Sequence, residues 1–112
     1  MTPSNDSNGV AVKQWFDQHI DECRREGICV DHCFNDIGKD RLAEINFQSP
    51  NLIALIEVWS RPMNIDLTIE RVGGDVDSRL EVYSYVDIED ACLKLSECLG
   101  EIFRFHRKSK EK

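Results

Sequence analysis

Apolar and polar positions along the chain switch period twice. From Val10 they recur at three- and four-residue spacing: Val12, Trp15, Phe16, His19, Ile20 and Cys23 form one stripe, which predicts an amphipathic helix. Ser7 or Asn8 is its expected cap, Arg24 and Arg25 suit the negative end of its dipole, and Gly27 is placed to stop it. Residues 1–9 read as a frayed terminus. In "ICVDHCFNDIGKD", Ile28 to Val30 suits a short strand and Asn35, Asp36 and Gly38 mark a turn.

The period then falls to two. "RLAEINFQS" sets Ala43, Ile45 and Phe47 against Glu44, Asn46 and Gln48. After Ser49-Pro50-Asn51, "LIALIEVW" is apolar on both faces up to Glu57, which suits a central strand. Trp59 at its end reads as a packing residue, and "SRPM" interrupts the ladder because Pro62 has no amide proton. "NIDLTIERV" sets Ile65, Leu67 and Ile69 against Asp66, Thr68 and Glu70. Gly73-Gly74-Asp75 turns the chain into "RLEVYSYV", with Leu80 and Val82 opposite Glu81, Tyr83 and Tyr85.

Period 3.6 returns after Asp87, an expected N-cap with Asp90 three residues on. Ile88, Cys92, Leu95, Leu99 and Ile102 are the expected buried stripe; Cys98 falls off it and is expected partly exposed. Gly100 is expected to allow close packing on the sheet, and residues 106–112 to be flexible. The predicted fold is α+β: one domain, an antiparallel meander of about four strands, with an N-terminal and a C-terminal helix on one face.

Charge sharpens this picture. The total is −7 over 112 residues, yet the segment from Arg104 to Lys112 carries +4, which leaves −11 on residues 1–103. So acidic a body repels nucleic acid and attracts basic partners. The longest apolar run, Leu52 to Ile56, is too short to span a bilayer, and "MTPSNDSNG" lacks a signal peptide's basic and apolar parts. The expected setting is the cytoplasm, without membrane or nucleic-acid partners. Five cysteines, an odd number, suit reduced thiols there.

Candidate chemistry is sparse. His19, Cys23, Cys29, His32 and Cys33 are metal-ligand types within fifteen residues, but their spacing is not that of a zinc site. Cys29 or Cys33 beside His32 supplies nucleophile atoms, although a catalytic base comes as a rule from elsewhere in a fold. Asp66 and Glu70 share a strand face that reads as solvated. Tyr83 and Tyr85 are placed to stack bases, but the acids around them oppose a phosphate backbone. Walker, GxGxxG, HExxH and GxSxG motifs do not occur. The expectation is a binding protein rather than an enzyme, with no cofactor.

The run "VKQWFDQHI", "AEINFQSPNLIALIEVW", "NIDLTIERVGGD", "LEVYSYV" and "DIEDACLKLSECLGEIF" resembles immunity proteins of bacterial polymorphic-toxin systems. The nearest resemblance is to the TriTu-like immunity family, found beside contact-dependent growth-inhibition toxins. It covers residues 41–103 best and departs at "SRPM" and in the cysteines at 23–33. It implies a protein that neutralises a cognate toxin C-terminal domain by stoichiometric binding, the toxin being often a nuclease with a basic cleft. It transfers no catalytic residue, and its contact residues vary between members.

The expected partner-binding residues, read from the strand pattern, are therefore Asp66, Glu70, Glu81, Tyr83 and Tyr85, with Asp75 and Asp77 in the hairpin turn. One alternative stays open in the alternation: Tyr83 and Tyr85 pack under the helices, and Leu80 and Val82 face out. The alternative function is an acidic adaptor or regulatory subunit of a cytoplasmic complex.

Overall fold

The computed structural model describes residues 4–33, 40–50, 52–71 and 78–110, with side chains at 10–32, 40–50, 52–70 and 80–107. The elements are α1 (Ser4–Arg25), β1 (Cys29–Cys33), β2 (Arg41–Gln48), β3 (Leu52–Trp59), β4 (Asn64–Arg71), β5 (Ser78–Ser84) and α2 (Ile88–Lys110). The strands form one antiparallel sheet in the order β1-β2-β3-β4-β5. The fold is thus the expected α+β meander between two helices, with five strands because "CVDHC" pairs with β2.

The ends of α1 show how local chemistry sets an element. Gly27 adopts φ +85°, a conformation that favours glycine. Ile28 N–H donates to the Cys23 carbonyl at 2.9 Å and Gly27 N–H to the Arg24 carbonyl at 3.0 Å. Together they close a Schellman motif, with Ile28 and Cys23 both buried. At the other end α1 begins at Ser4, ahead of the expected caps Ser7 and Asn8. At α2, Asp90 N–H donates to Asp87 Oδ1 at 2.8 Å and Val86 N–H to Asp90 Oδ2 at 3.0 Å, a reciprocal cap as anticipated.

Both helices pack on one sheet face, α1 over β1 and β2, α2 over β3 and β4. They run side by side in the same direction: Trp15 Nε1–H donates to Ser96 Oγ at 2.9 Å, and Arg107 holds Glu26 through two contacts of 3.2 and 3.3 Å. The covered face is continuous from Ala43, Ile45 and Phe47 through Leu52, Ala54, Ile56 and Val58 to Ile65, Leu67 and Ile69. Burial of each of the larger of these side chains contributes about 1.5–3 kcal/mol.

Three expectations for α2 need correction. Cys98 is 0% exposed, whereas Cys92 and Ile88 are only half-buried. Leu95, Leu99 and Ile102 are buried as expected, and Ala91 and Cys98 join them in place of Ile88 and Cys92, because α2 lies over two strands and turns a broad face to them. Gly100 does not approach the sheet: it is exposed, and a Cβ added there meets nothing within 4 Å. Gly100→Ala is therefore expected to stabilise the domain by up to about 1 kcal/mol, raising Tm by about 4 °C, as thermal unfolding followed by circular dichroism will read. Finally, α2 continues to Lys110 and His106 is buried, so the expected flexible tail is helical through 110.

Candidate functional site

The period of two that fills the core also builds the opposite face, which neither helix covers. Direct neighbours across it follow from the register. One row is Glu44–Glu57–Asp66–Val82 and the next is Asn46–Leu55–Thr68–Leu80. A third is Gln48–Ile53–Glu70–Ser78, and Asp31 extends the second row through its pairing with Asn46. The face therefore joins acids to an apolar group. Leu80 is 69% exposed, Val82 57% and Ile53 46%, with Leu55 half-buried between them.

The first row is electrostatically expensive. Glu44, Glu57 and Asp66 stand directly opposite one another on three adjacent strands, an arrangement that destabilises a sheet. Arg41 relieves part of this: its guanidinium bonds Glu57 and lies 3.5 Å from Glu44, and it sits 5.5 Å from the centre of the Trp59 ring. A bulge between Arg41 and Ala43 puts Arg41 opposite Trp59 on this face. Neither Asp66 nor Glu70 is engaged in an ion pair among the described residues. Asp66→Asn removes one like-charge neighbour. It is expected to raise stability by roughly 0.2–1 kcal/mol, most at low ionic strength, as urea unfolding at two salt concentrations will show.

The structure divides the residues expected to form the site. Asp66 and Glu70 lie on the open face as anticipated. Glu81, Tyr83 and Tyr85 do not. The pairs Leu67↔Glu81 and Ile65↔Tyr83 put them on the helix side, and Leu80 and Val82 face out instead. Tyr85 is 5% exposed and its hydroxyl donates to the Trp59 carbonyl. Tyr83 is half-buried and donates to Glu81 at 2.9 Å; burial, then this bond, pushes its hydroxyl pKa up. The physical reason for the swap is area: two tyrosine rings with hydroxyl partners fill the border of the core better than one leucine and one valine. Asp75 and Asp77 lie outside the described residues.

Sequence reasoning passed over Glu44, Glu57, Arg41, Ile53 and Leu55. Alternation already turned Glu44 and Glu57 outward, but only pairing register shows that they meet.

The described cysteine and histidine candidates do not converge, and the Cys33 side chain lies outside the described residues. Cys23 is buried in the core, where burial first and then Glu22 push its thiol pKa up to about 11. Cys29 is exposed on the open face, whereas His32 lies on the helix side against Phe16, their ring centres 4.6 Å apart. His19 bonds the Trp15 carbonyl at 2.7 Å. Among the described residues no three His, Cys, Asp or Glu side chains are grouped to hold a metal ion.

No helix among the described residues is long and apolar enough to cross a membrane. Compared with models of known protein families, with curated proteins and with solved structures, the chain matches none.

Proposed function

We propose that this chain is an immunity protein, which neutralises a bacterial toxin domain by one-to-one binding through the open sheet face. The observation that carries this reading is the in-register acidic row Glu44–Glu57–Asp66 beside the exposed Ile53, Leu80 and Val82 and the half-buried Leu55. A like-charge row that Arg41 relieves only in part costs the isolated fold stability, and that cost falls when a partner's cations meet it. An apolar group of this kind supplies contact area that acids alone do not. The partner is thus a basic surface with an apolar centre, as in a nuclease whose cleft receives phosphate. The resemblance to TriTu-like immunity proteins points the same way.

The protein acts in the cytoplasm, where Cys23, Cys29, Cys92 and Cys98 stay as the free thiols they are here. It supplies no catalytic group of its own; inhibition comes from occupying the toxin's basic surface. Co-expression with the product of the adjacent toxin gene is the test. The expected result is rescued growth and a one-to-one complex that weakens with salt. Continued killing, with no complex at low salt, overturns the proposal. Co-purification with the subunits of an enzyme, in place of a toxin, supports the adaptor reading.

A further inference from the structure

The two edges of the sheet are not equivalent. On the β1 edge, α1 packs against β1 itself. On the other, β5 pairs only with β4 among the described residues, and the main sheet contacts of α2 are with β3 and β4, so β5 overhangs the helix layer. Beneath the overhang lies a cleft of about 300 Å³, bounded by Tyr83 and by Glu97, Gly100, Glu101 and Arg104 of α2. Above it, on the open face, are the exposed Leu80 and Val82.

We propose that β5 is a strand-addition edge: an extended segment of the partner, alternating apolar and basic side chains, pairs with β5 on the side away from β4. This rests on the reading that the chain binds a basic protein. Backbone groups on the outer side of an edge strand are ready to form a ladder, and this is a recurrent mode of peptide recognition. The side chains of an added strand alternate between the two faces. One set extends the open face beside Leu80 and Val82 and is apolar. The other set projects over the cleft, whose volume of about 300 Å³ holds the stem of a lysine or arginine.

Charge fixes the sign of that second set. Glu97 and Glu101 line the cleft with Arg104, and Glu81 stands beside it, bonded to Tyr83; Arg104 lies 3.3 Å from Glu101 and Lys94 3.9 Å from Glu97, so three acids face two bases. Their field is felt at Cys98 below: burial first, then Glu81, Glu97 and Glu101, push its thiol pKa up to about 12. The same acids argue against a second copy of this chain as the occupant, since pairing β5 with β5 sets acids against acids.

The probe is a synthetic peptide of alternating lysine and valine, as long as β5, added to the isotope-labelled full chain. The expected result is slowed exchange of β5 amides, with roughly tenfold weaker binding of a peptide in which lysines and valines are segregated into blocks. N-methylation of every second peptide amide abolishes binding in one frame and is tolerated in the other, because an added strand bonds through alternate residues. Gly100→Leu, which fills the cleft without changing charge, weakens binding by roughly tenfold or more. The proposal is overturned by any of three outcomes: no protection of β5 at saturating peptide, equal binding of the block peptide, or a dimer in which β5 is already protected without peptide. The growth-rescue assay is read separately. A toxin neutralised while β5 stays unprotected keeps the proposed function and removes strand addition.

Discussion

Lysine at both positions 66 and 70 is expected to slow association with the toxin by roughly tenfold or more at low salt, and to flatten the salt dependence of the rate. Asp66 lies in the row opposite Glu57 and Glu70 in the row opposite Ile53, so the pair reverses charge in the middle and at one border of the open face. The effect falls on encounter, because these carboxylates act through the summed field and the Debye length is about 8 Å at physiological ionic strength. The fold is expected to survive: Asp66 is half-buried, Glu70 exposed, and neither holds an ion pair among the described residues. A lysine at 66 gains Glu57 as a neighbour of opposite charge, so unfolding free energy is expected to rise slightly while association slows. Stopped-flow association over a salt series, paired with urea unfolding, checks both halves. Parental rates at low salt would show that the open face does not steer the partner.

His106→Ala is expected to have the largest effect on stability, about 3–5 kcal/mol, enough to take most of the margin of a small domain. The ring is 1% exposed and joins three elements. Nε2–H donates to the Glu26 carbonyl at the end of α1, at 2.8 Å, which leaves Nδ1 to accept from Ser49 Oγ at 3.2 Å. Ser49 Oγ in turn accepts from Leu52 N–H at 3.2 Å, across the connection between β2 and β3. Alanine opens a cavity and removes a partner from the buried Ser49 hydroxyl and the part-buried Glu26 carbonyl at once. His106→Phe keeps most of the volume and loses only the bonds, so it is expected to cost about 1–3 kcal/mol. Chemical denaturation of the parent and both variants checks the order; equal losses would place the whole effect in packing. This residue was accessible to sequence reasoning, since Leu99, Ile102, Phe103 and His106 continue the stripe of α2. The basic character of the surrounding tail concealed it.

Much of the candidate site was readable as well, one strand at a time. Ala43, Ile45 and Phe47 against Glu44 and Asn46, and Ile65, Leu67 and Ile69 against Asp66 and Glu70, are split between the faces as their alternation requires. Asp66 and Glu70 were found for that reason. Glu81, Tyr83 and Tyr85 were misplaced because β5 is amphipathic in an ambiguous way: tyrosines on one side, leucine and valine on the other. Cys98 was misplaced because a helix over two strands buries a wider arc than a narrow stripe indicates.

The sequence by itself determined what depends on neighbours along the chain. Backbone geometry makes side chains alternate in a strand and recur every 3.6 residues in a helix; Gly27 ends α1, and Asp87 with Asp90 starts α2. Those choices are local, and they were enough for an α+β meander between two helices. Only the tertiary structure decided which strands set which residues side by side, because register is a relation between segments distant in sequence. It placed Glu44, Glu57 and Asp66 in one row, turned Leu80 and Val82 to solvent, and left β5 outside the main sheet contacts of α2. The acids were visible in the composition; their alignment on an open face came from the pairing of strands and from where the helices rest.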